Sequence, residues 1–128
     1  MKLQPDRLEG TNMISGYDRE SISVNGQPRA SSVLVPAQGD VRDWECRKLE
    51  DLRAEHFERV AELAPEVVIF GSGARLRFPP PSLLRPLIER GIGVETMDTP
   101  AACRTYNILV SEGRSVVAAL LVEGEGQG

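Results

Sequence analysis

The stretch VVIFGSG, residues 67–73, decides how this sequence folds. Its four apolar residues in a row are typical of a strand that is covered on both faces. Downstream, residues 82–90 place Leu and Ile at helical spacing, and residues 92–96 resemble a second strand. A strand, a helix and a strand in this order predict a βαβ unit, in which the two strands are adjacent and parallel.

Two further helices and a final strand flank this unit. Helical spacing of apolar residues predicts one helix from about Leu52 to Ala64 and another from Thr99 to about Gly113. Residues 116–122, which are nearly all apolar, predict the last strand. The expected boundary residues are Pro65 after the first helix, Ser82 and Gly91 around the second, and Thr99 with Pro100 at the start of the third.

The first part of the chain, about residues 11–47, carries strand signals instead. Residues 22–24 alternate between apolar and polar, and the Asn25-Gly26 pair that follows is a strong hairpin signal. Residues 12–17 and 32–35 predict two further strands, and residues 41–46 predict a fourth one around Trp44, whose expected place is the core. The chain as a whole is therefore predicted to be an α/β protein.

Length and charge exclude several classes of protein. The chain has 128 residues, which suits a single domain, with residues 11–122 as the folded core and residues 1–10 and 123–128 as loose ends. A formal net charge of −4 and the lack of a basic stripe argue against nucleic-acid binding. No apolar run approaches about 20 residues, and the first residues lack a secretory pattern, so we expect a cytoplasmic protein without membrane insertion.

The cysteine, histidine and glycine residues of the sequence predict neither a cofactor site nor a metal site. Cys46, Cys103 and His56 lack the spacing of zinc ligands. We expect two free thiols, although the sequence leaves a disulfide open, and a solvated surface histidine. The FGSGARL segment is only half of a dinucleotide fingerprint. No nucleophile and base are placed together, so no catalytic residue is predicted, and the sequence favours a non-enzymatic role without settling it.

A candidate binding site lies where the two strands of the βαβ unit end. The carboxyl ends of parallel strands meet at one edge of a sheet, where α/β proteins bind ligands. The candidate residues are Gly71, Ser72 and Gly73 after the first strand, Met97, Asp98 and Thr99 after the second, and Arg104 on the following helix. This edge is predicted to take a small anion. The competing interpretation is structural: the glycines make a turn, Asp98 caps the helix, and Arg104 pairs with Asp98 or Glu95.

Two more features complete the set of candidates. Asn107 follows the inward-facing Tyr106, so we expect a largely buried amide that bonds backbone near one of the glycine-bearing loops. Residues 75–78 read RLRF, a small basic and aromatic patch that suits contact with a partner better than with RNA.

The chain resembles a known family over about residues 11–122, most specifically in its second half. The residues that carry the resemblance are Gly71-Ser72-Gly73, Gly91, Val94-Glu95, Met97-Asp98-Thr99, Ala102, Thr105-Tyr106-Asn107, Leu109 and Glu112-Gly113-Arg114. They are similar to a family of small bacterial and archaeal proteins of unknown function that also includes the mitochondrial complex I assembly factor 3. Asp18 departs from the glycine that many relatives carry there.

The resemblance implies both a fold and a kind of function. The implied fold has three layers: a central mixed β-sheet, helices on one side, and an added β-hairpin plus helix on the other. The implied function is that of a non-enzymatic assembly or protein-interaction factor, with a partner linked to membrane-complex assembly or protein export. The alternative is a binder of a small anionic ligand, weakly catalytic or not, at the loops after strands 67–70 and 92–96.

Overall fold

A five-stranded mixed sheet forms the middle layer of the structure, a computed structural model that describes residues 10–123. In chain order its strands are β4 (Val33–Pro36), β5 (Arg42–Asp43), β6 (Val67–Gly71), β7 (Gly93–Met97) and β8 (Val116–Leu120). The spatial order is β5-β4-β8-β6-β7. Strand β6 is parallel to both β7 and β8, whereas β4 is antiparallel to β5 and β8. The predicted parallel pairing across the βαβ unit is confirmed.

A second sheet and one helix cover one face of the central sheet. The sheet contains β1 (Ile14–Tyr17), β2 (Ile22–Val24) and β3 (Gln27–Arg29), all antiparallel, with the predicted hairpin between β2 and β3. The helix is α3 (Thr99–Ser111), which lies against β1, β6 and β8. Its inner side chains, with Tyr106 fully buried, share one apolar core with the inward residues of both sheets.

The other face is covered by α1 (Ala54–Ala61), α2 (Arg85–Ile88) and the 3₁₀ turn of residues 81–84. Trp44 is buried there and meets Phe57 and Phe70 edge to face, with ring centroids 5.5 and 6.0 Å apart, so its predicted core position is confirmed. The layers are therefore helices, mixed sheet, and a small sheet plus helix. The three-layer α/β fold expected from the resemblance is confirmed.

Three local predictions were wrong. The helix expected over residues 82–90 is a 3₁₀ turn followed by the short α2, because Pro86 has no N–H to bond the Ser82 carbonyl. Ser82 caps neither the turn nor α2. The strand expected over residues 41–46 is limited to the two residues of β5. Thr99 is not the N-cap of α3. Asp98 caps the helix, as the structural interpretation of the sheet edge predicted, since its carboxylate accepts the Ala101 N–H at 2.8 Å.

His56 is likewise not a solvated side chain. It is half-buried, and its Nδ1 accepts the Arg53 N–H at the start of α1 at 2.9 Å. Its Nε2 then carries the proton and donates to the Glu45 carbonyl at 3.0 Å. The histidine thus ties the start of α1 to the segment that carries Trp44.

Of the predicted loose ends, only Gly10 and Glu123 lie among the described residues.

Candidate functional site

The loops after β6 and β7 lie together at one edge of the central sheet. The Ser72 N–H donates to the Met97 carbonyl at 2.8 Å, and the Thr99 N–H donates to the Gly73 carbonyl at 2.8 Å. The sheet pairing therefore continues past both strand ends. As a result, Gly71 to Gly73 and Met97 to Thr99 form one connected unit of backbone.

Thr99 joins three segments at this edge through one hydroxyl. Its Oγ1 accepts the Gly73 N–H and donates to the Leu121 carbonyl, both at 2.9 Å, and both bonds are buried. A Cβ on Gly71 would lie 2.9 Å from the same oxygen, which is closer than a side chain is normally found. The glycine thus lets the first turn of α3 approach the end of β6. The sequence motif contained Thr99, but its clamping role depends on Leu121, which only the fold brings close.

Ser72 is fully buried and holds the next turn of the chain. Its hydroxyl donates to the Arg75 carbonyl at 2.7 Å and accepts the Arg77 N–H at 3.0 Å, and it also lies 3.2 Å from the Met97 carbonyl oxygen. A hydroxyl with these partners organises the loop that follows. It is not presented to a ligand in this arrangement.

Asp98 and Arg104 do not form the pair that the sequence suggested. Asp98 caps α3, whereas the exposed Arg104 donates from Nη1 to the Tyr17 hydroxyl at 2.9 Å. Arg104 follows Asp98 by six positions, a rotation of about 240° around the helix axis, so the two side chains leave α3 on different sides. Anion binding at this edge stays a prediction.

Asn107 bonds backbone, but not the backbone that was expected. Its side chain is half-buried, and its Oδ1 accepts the Ile14 N–H at 3.0 Å while its Nδ2 donates to the Ile14 carbonyl at 2.8 Å. The amide thus closes a two-bond bridge from α3 to β1. The predicted place beside a glycine-bearing loop was wrong, since the partner is Ile14 of β1, while the predicted hydrogen bonding to backbone is present.

A recess of about 760 Å³ lies elsewhere, between the β2–β3 hairpin and the turn before β5. Its walls include Gln27, Arg29, Asp40 and Arg42, and none of the candidate edge residues lines it. Arg29 is paired with Asp43 at 3.2 Å. The recess is thus a polar groove near β5, at one end of the central sheet, whereas β7 forms the other end.

The segment from Ala74 to Phe78, which we call the braced loop, presents apolar side chains to solvent. Leu76 is 52% exposed and Phe78 is 68% exposed. Arg77 between them points back to the protein, where its guanidinium bonds Glu123 at 2.8 Å and approaches Glu50 at 3.4 Å. Large apolar side chains such as Leu76 and Phe78 are usually buried in the core. A loop that holds both of them exposed is therefore a candidate surface for contact with a partner.

The two cysteines are free and buried, as expected. Loss of solvation raises the pKa of Cys46 to about 12, with a smaller contribution from Asp51. Burial likewise raises the pKa of Cys103 to about 12. Both side chains are therefore neutral thiols at physiological pH, packed as small apolar groups rather than poised as nucleophiles.

Comparison with known proteins gives the family. Residues 14–121 match the model of a family described as "Protein of unknown function (DUF498/DUF598)". This chain belongs to that family. The family also includes proteins named as complex I assembly factors.

Two relatives and one solved structure indicate how far the likeness extends. The chain is 36% identical over 110 residues to "NADH dehydrogenase [ubiquinone] 1 alpha subcomplex assembly factor 3" of Bos taurus, covering 84% of this chain and 59% of the bovine protein. It thus spans about three fifths of the length of that relative. It is 23% identical to the "13 kDa major membrane protein" of Francisella tularensis, over 94% of this chain and 99% of the relative. A solution NMR structure of a Mth938-like domain from Bordetella pertussis is 34% identical, with a TM-score of 0.83, and covers 99% of this chain and 96% of that one.

Within residues 10–123, no helix has the length and apolar character needed to cross a membrane.

Proposed function

We propose that this member of the DUF498/DUF598 family is a non-enzymatic assembly factor that binds a protein partner through its braced loop. The observation that carries the proposal is the exposure of Leu76 and Phe78 on a loop that is fixed at several points. The Ser72 hydroxyl holds its backbone, and the two carboxylates around Arg77 hold its middle. A loop that is already ordered loses little conformational entropy when a partner binds it.

The chemistry of the loop indicates the kind of partner surface. Two neighbouring apolar side chains fit an apolar pocket, and the exposed Arg75 beside them favours a carboxylate at the rim of that pocket. The bovine relative is named as an assembly factor of NADH dehydrogenase, and we propose by analogy that the partner is a subunit of a multi-subunit complex.

We further propose that the protein acts in the cytoplasm. The name of the Francisella relative supports the competing placement at a membrane. Fractionation of cells that express the untagged chain decides between them, because recovery with washed membranes would contradict the cytoplasmic placement.

A crosslinking experiment tests the partner proposal. A photoreactive phenylalanine analogue placed at Phe78 should capture one or a few defined proteins in native lysate, and the same analogue at Ile108, which is 57% exposed on α3, serves as the control. Adding Leu76→Ser should abolish capture from position 78 while the melting temperature stays close to that of the parent. Identical capture from both positions would contradict a role for the braced loop.

A further inference from the structure

Strand β7 leaves one side of the central sheet unpaired within the described part of the chain. It is the last strand in the spatial order, and its only partner there is β6. Its register with β6 is unbroken from Gly93 to Met97, without a bulge. Exposed edges normally carry proline, charged side chains or a bulge that blocks further pairing; β7 has neither proline nor a bulge, and its single charge is Glu95.

The direction of each backbone group on β7 follows from two hydrogen bonds at its ends. The Gly93 N–H donates to the Glu66 carbonyl at 3.2 Å, and the Met97 carbonyl accepts the Ser72 N–H at 2.8 Å, so both groups point toward β6. Backbone groups alternate in direction along a strand. The N–H and C=O of Val94 and of Thr96 therefore point outward, to the open edge.

Glu95 determines which strand the edge can accept. In an antiparallel pair between two copies of β7, the register that uses all outward groups sets Val94 against Thr96 of the other copy. That register places the two Glu95 side chains directly opposite each other, with Cα atoms about 4.5 Å apart. Like charges at such a position destabilise pairing, whereas a basic residue there stabilises it. The exposed Glu95 thus disfavours a second copy and favours a segment with Lys or Arg at this position.

We propose that the β7 edge binds an extended segment of a partner protein by strand addition, with a basic residue of that segment opposite Glu95. The outward groups of Val94 and Thr96 supply the main-chain hydrogen bonds, which carry the affinity in this mode of recognition. The half-buried Val94 packs against the core that lies between the central sheet and α1 and α2. The residue of the bound segment that lies opposite Val94 is therefore on the same side of the sheet as α2. This site differs from the braced loop and stands without it.

Nuclear magnetic resonance with short peptides tests the proposal on the full chain. The probe is a blocked peptide of alternating Thr and Val with one central Lys, and its control carries Glu in place of that Lys. The Lys peptide should slow amide hydrogen exchange at Val94 and Thr96, while Gly93 and Glu95 change little. The Glu peptide should bind about fivefold more weakly. The Glu95→Lys variant should reverse this preference.

Three results would overturn the proposal. The first is protection of the Val94 and Thr96 amides in the protein alone, since the edge would then already be covered by another part of this chain. The second is a dimer of the unmodified protein in solution that disappears with Glu95→Lys or Thr96→Pro. The third is binding of neither peptide at millimolar concentration, or equal binding of both by the parent and by Glu95→Lys. Failure of the crosslinking at Phe78 would leave each of these readouts unaffected.

Discussion

Replacing Thr99 by valine should be among the most damaging single changes at the edge of the sheet. The substitution keeps the size and the branching of the side chain and removes only the hydroxyl. The Gly73 N–H and the Leu121 carbonyl, both buried, then lose the partner that the structure gives them. A buried polar group left without a partner costs about 1–3 kcal/mol, so the two together should lower the free energy of unfolding by about 2–6 kcal/mol.

The matched control is Thr99→Ser, which keeps the hydroxyl and loses one methyl group. Its expected cost is about 1 kcal/mol or less. Thermal unfolding followed by circular dichroism separates the two variants. We expect Thr99→Val to melt roughly 10 °C below the parent and Thr99→Ser to melt only a few degrees below it. If both variants melt within about 2 °C of each other, the hydroxyl does not hold the three segments together.

Four further predictions concern other parts of the molecule. Asn107→Ala should lower the free energy of unfolding by about 1–3 kcal/mol, because it breaks the bridge to β1, and a melting temperature within a degree of the parent would contradict this. Cys46 and Cys103 should not react with Ellman's reagent at pH 8 in the native protein, since a pKa near 12 leaves roughly one thiolate in ten thousand, and both should react in guanidinium. The Arg114 guanidinium lowers the pKa of the Glu66 carboxyl in the folded state. The stability that this pair contributes is therefore present above the unfolded-state pKa of Glu66 and is lost as pH falls through the folded-state pKa. In urea titrations below pH 5, the free energy of unfolding of Glu66→Gln should fall less steeply with pH than that of the parent. If the loops after β6 and β7 bind anions, millimolar phosphate at low salt should raise the melting temperature of the protein. An unchanged melting temperature with a panel of phosphates and carboxylates would remove that hypothesis.

The fold was predictable where local signals were strong. The apolar run of β6 indicates a strand that is buried on both faces. Gly91 after α2 adopts the left-handed backbone conformation that favours glycine at the end of a helix. The parallel pairing of β6 with β7 follows from the rule for strand–helix–strand connections. The prediction failed where two local signals conflicted. Leu and Ile at helical spacing favoured one helix over residues 82–90, while Pro86 removed the hydrogen bond that such a helix needs.

The candidate site was predictable only as far as chain connectivity determines it. Parallel strands bring Gly71 to Gly73 beside Met97 to Thr99 by necessity. The partners of Arg104 and Asn107 lie on β1, about ninety residues earlier in the chain, and nothing local encodes which helix face that sheet covers. A hydrogen bond between residues so far apart in sequence is a property of the packing, and a single sequence does not contain it in readable form.

The spatial order of the central sheet has a consequence for how the chain is made. Strand β8 lies between β4 and β6, yet of the five strands of this sheet it is synthesised last. Until Val116 to Leu120 emerge, β4 and β6 have no common neighbour, and the backbone edges that β8 later pairs with remain open to solvent or to chaperones. Folding of this layer is therefore completed only after β8 is synthesised, and a nascent chain that stalls before β8 lacks the middle strand of its own sheet.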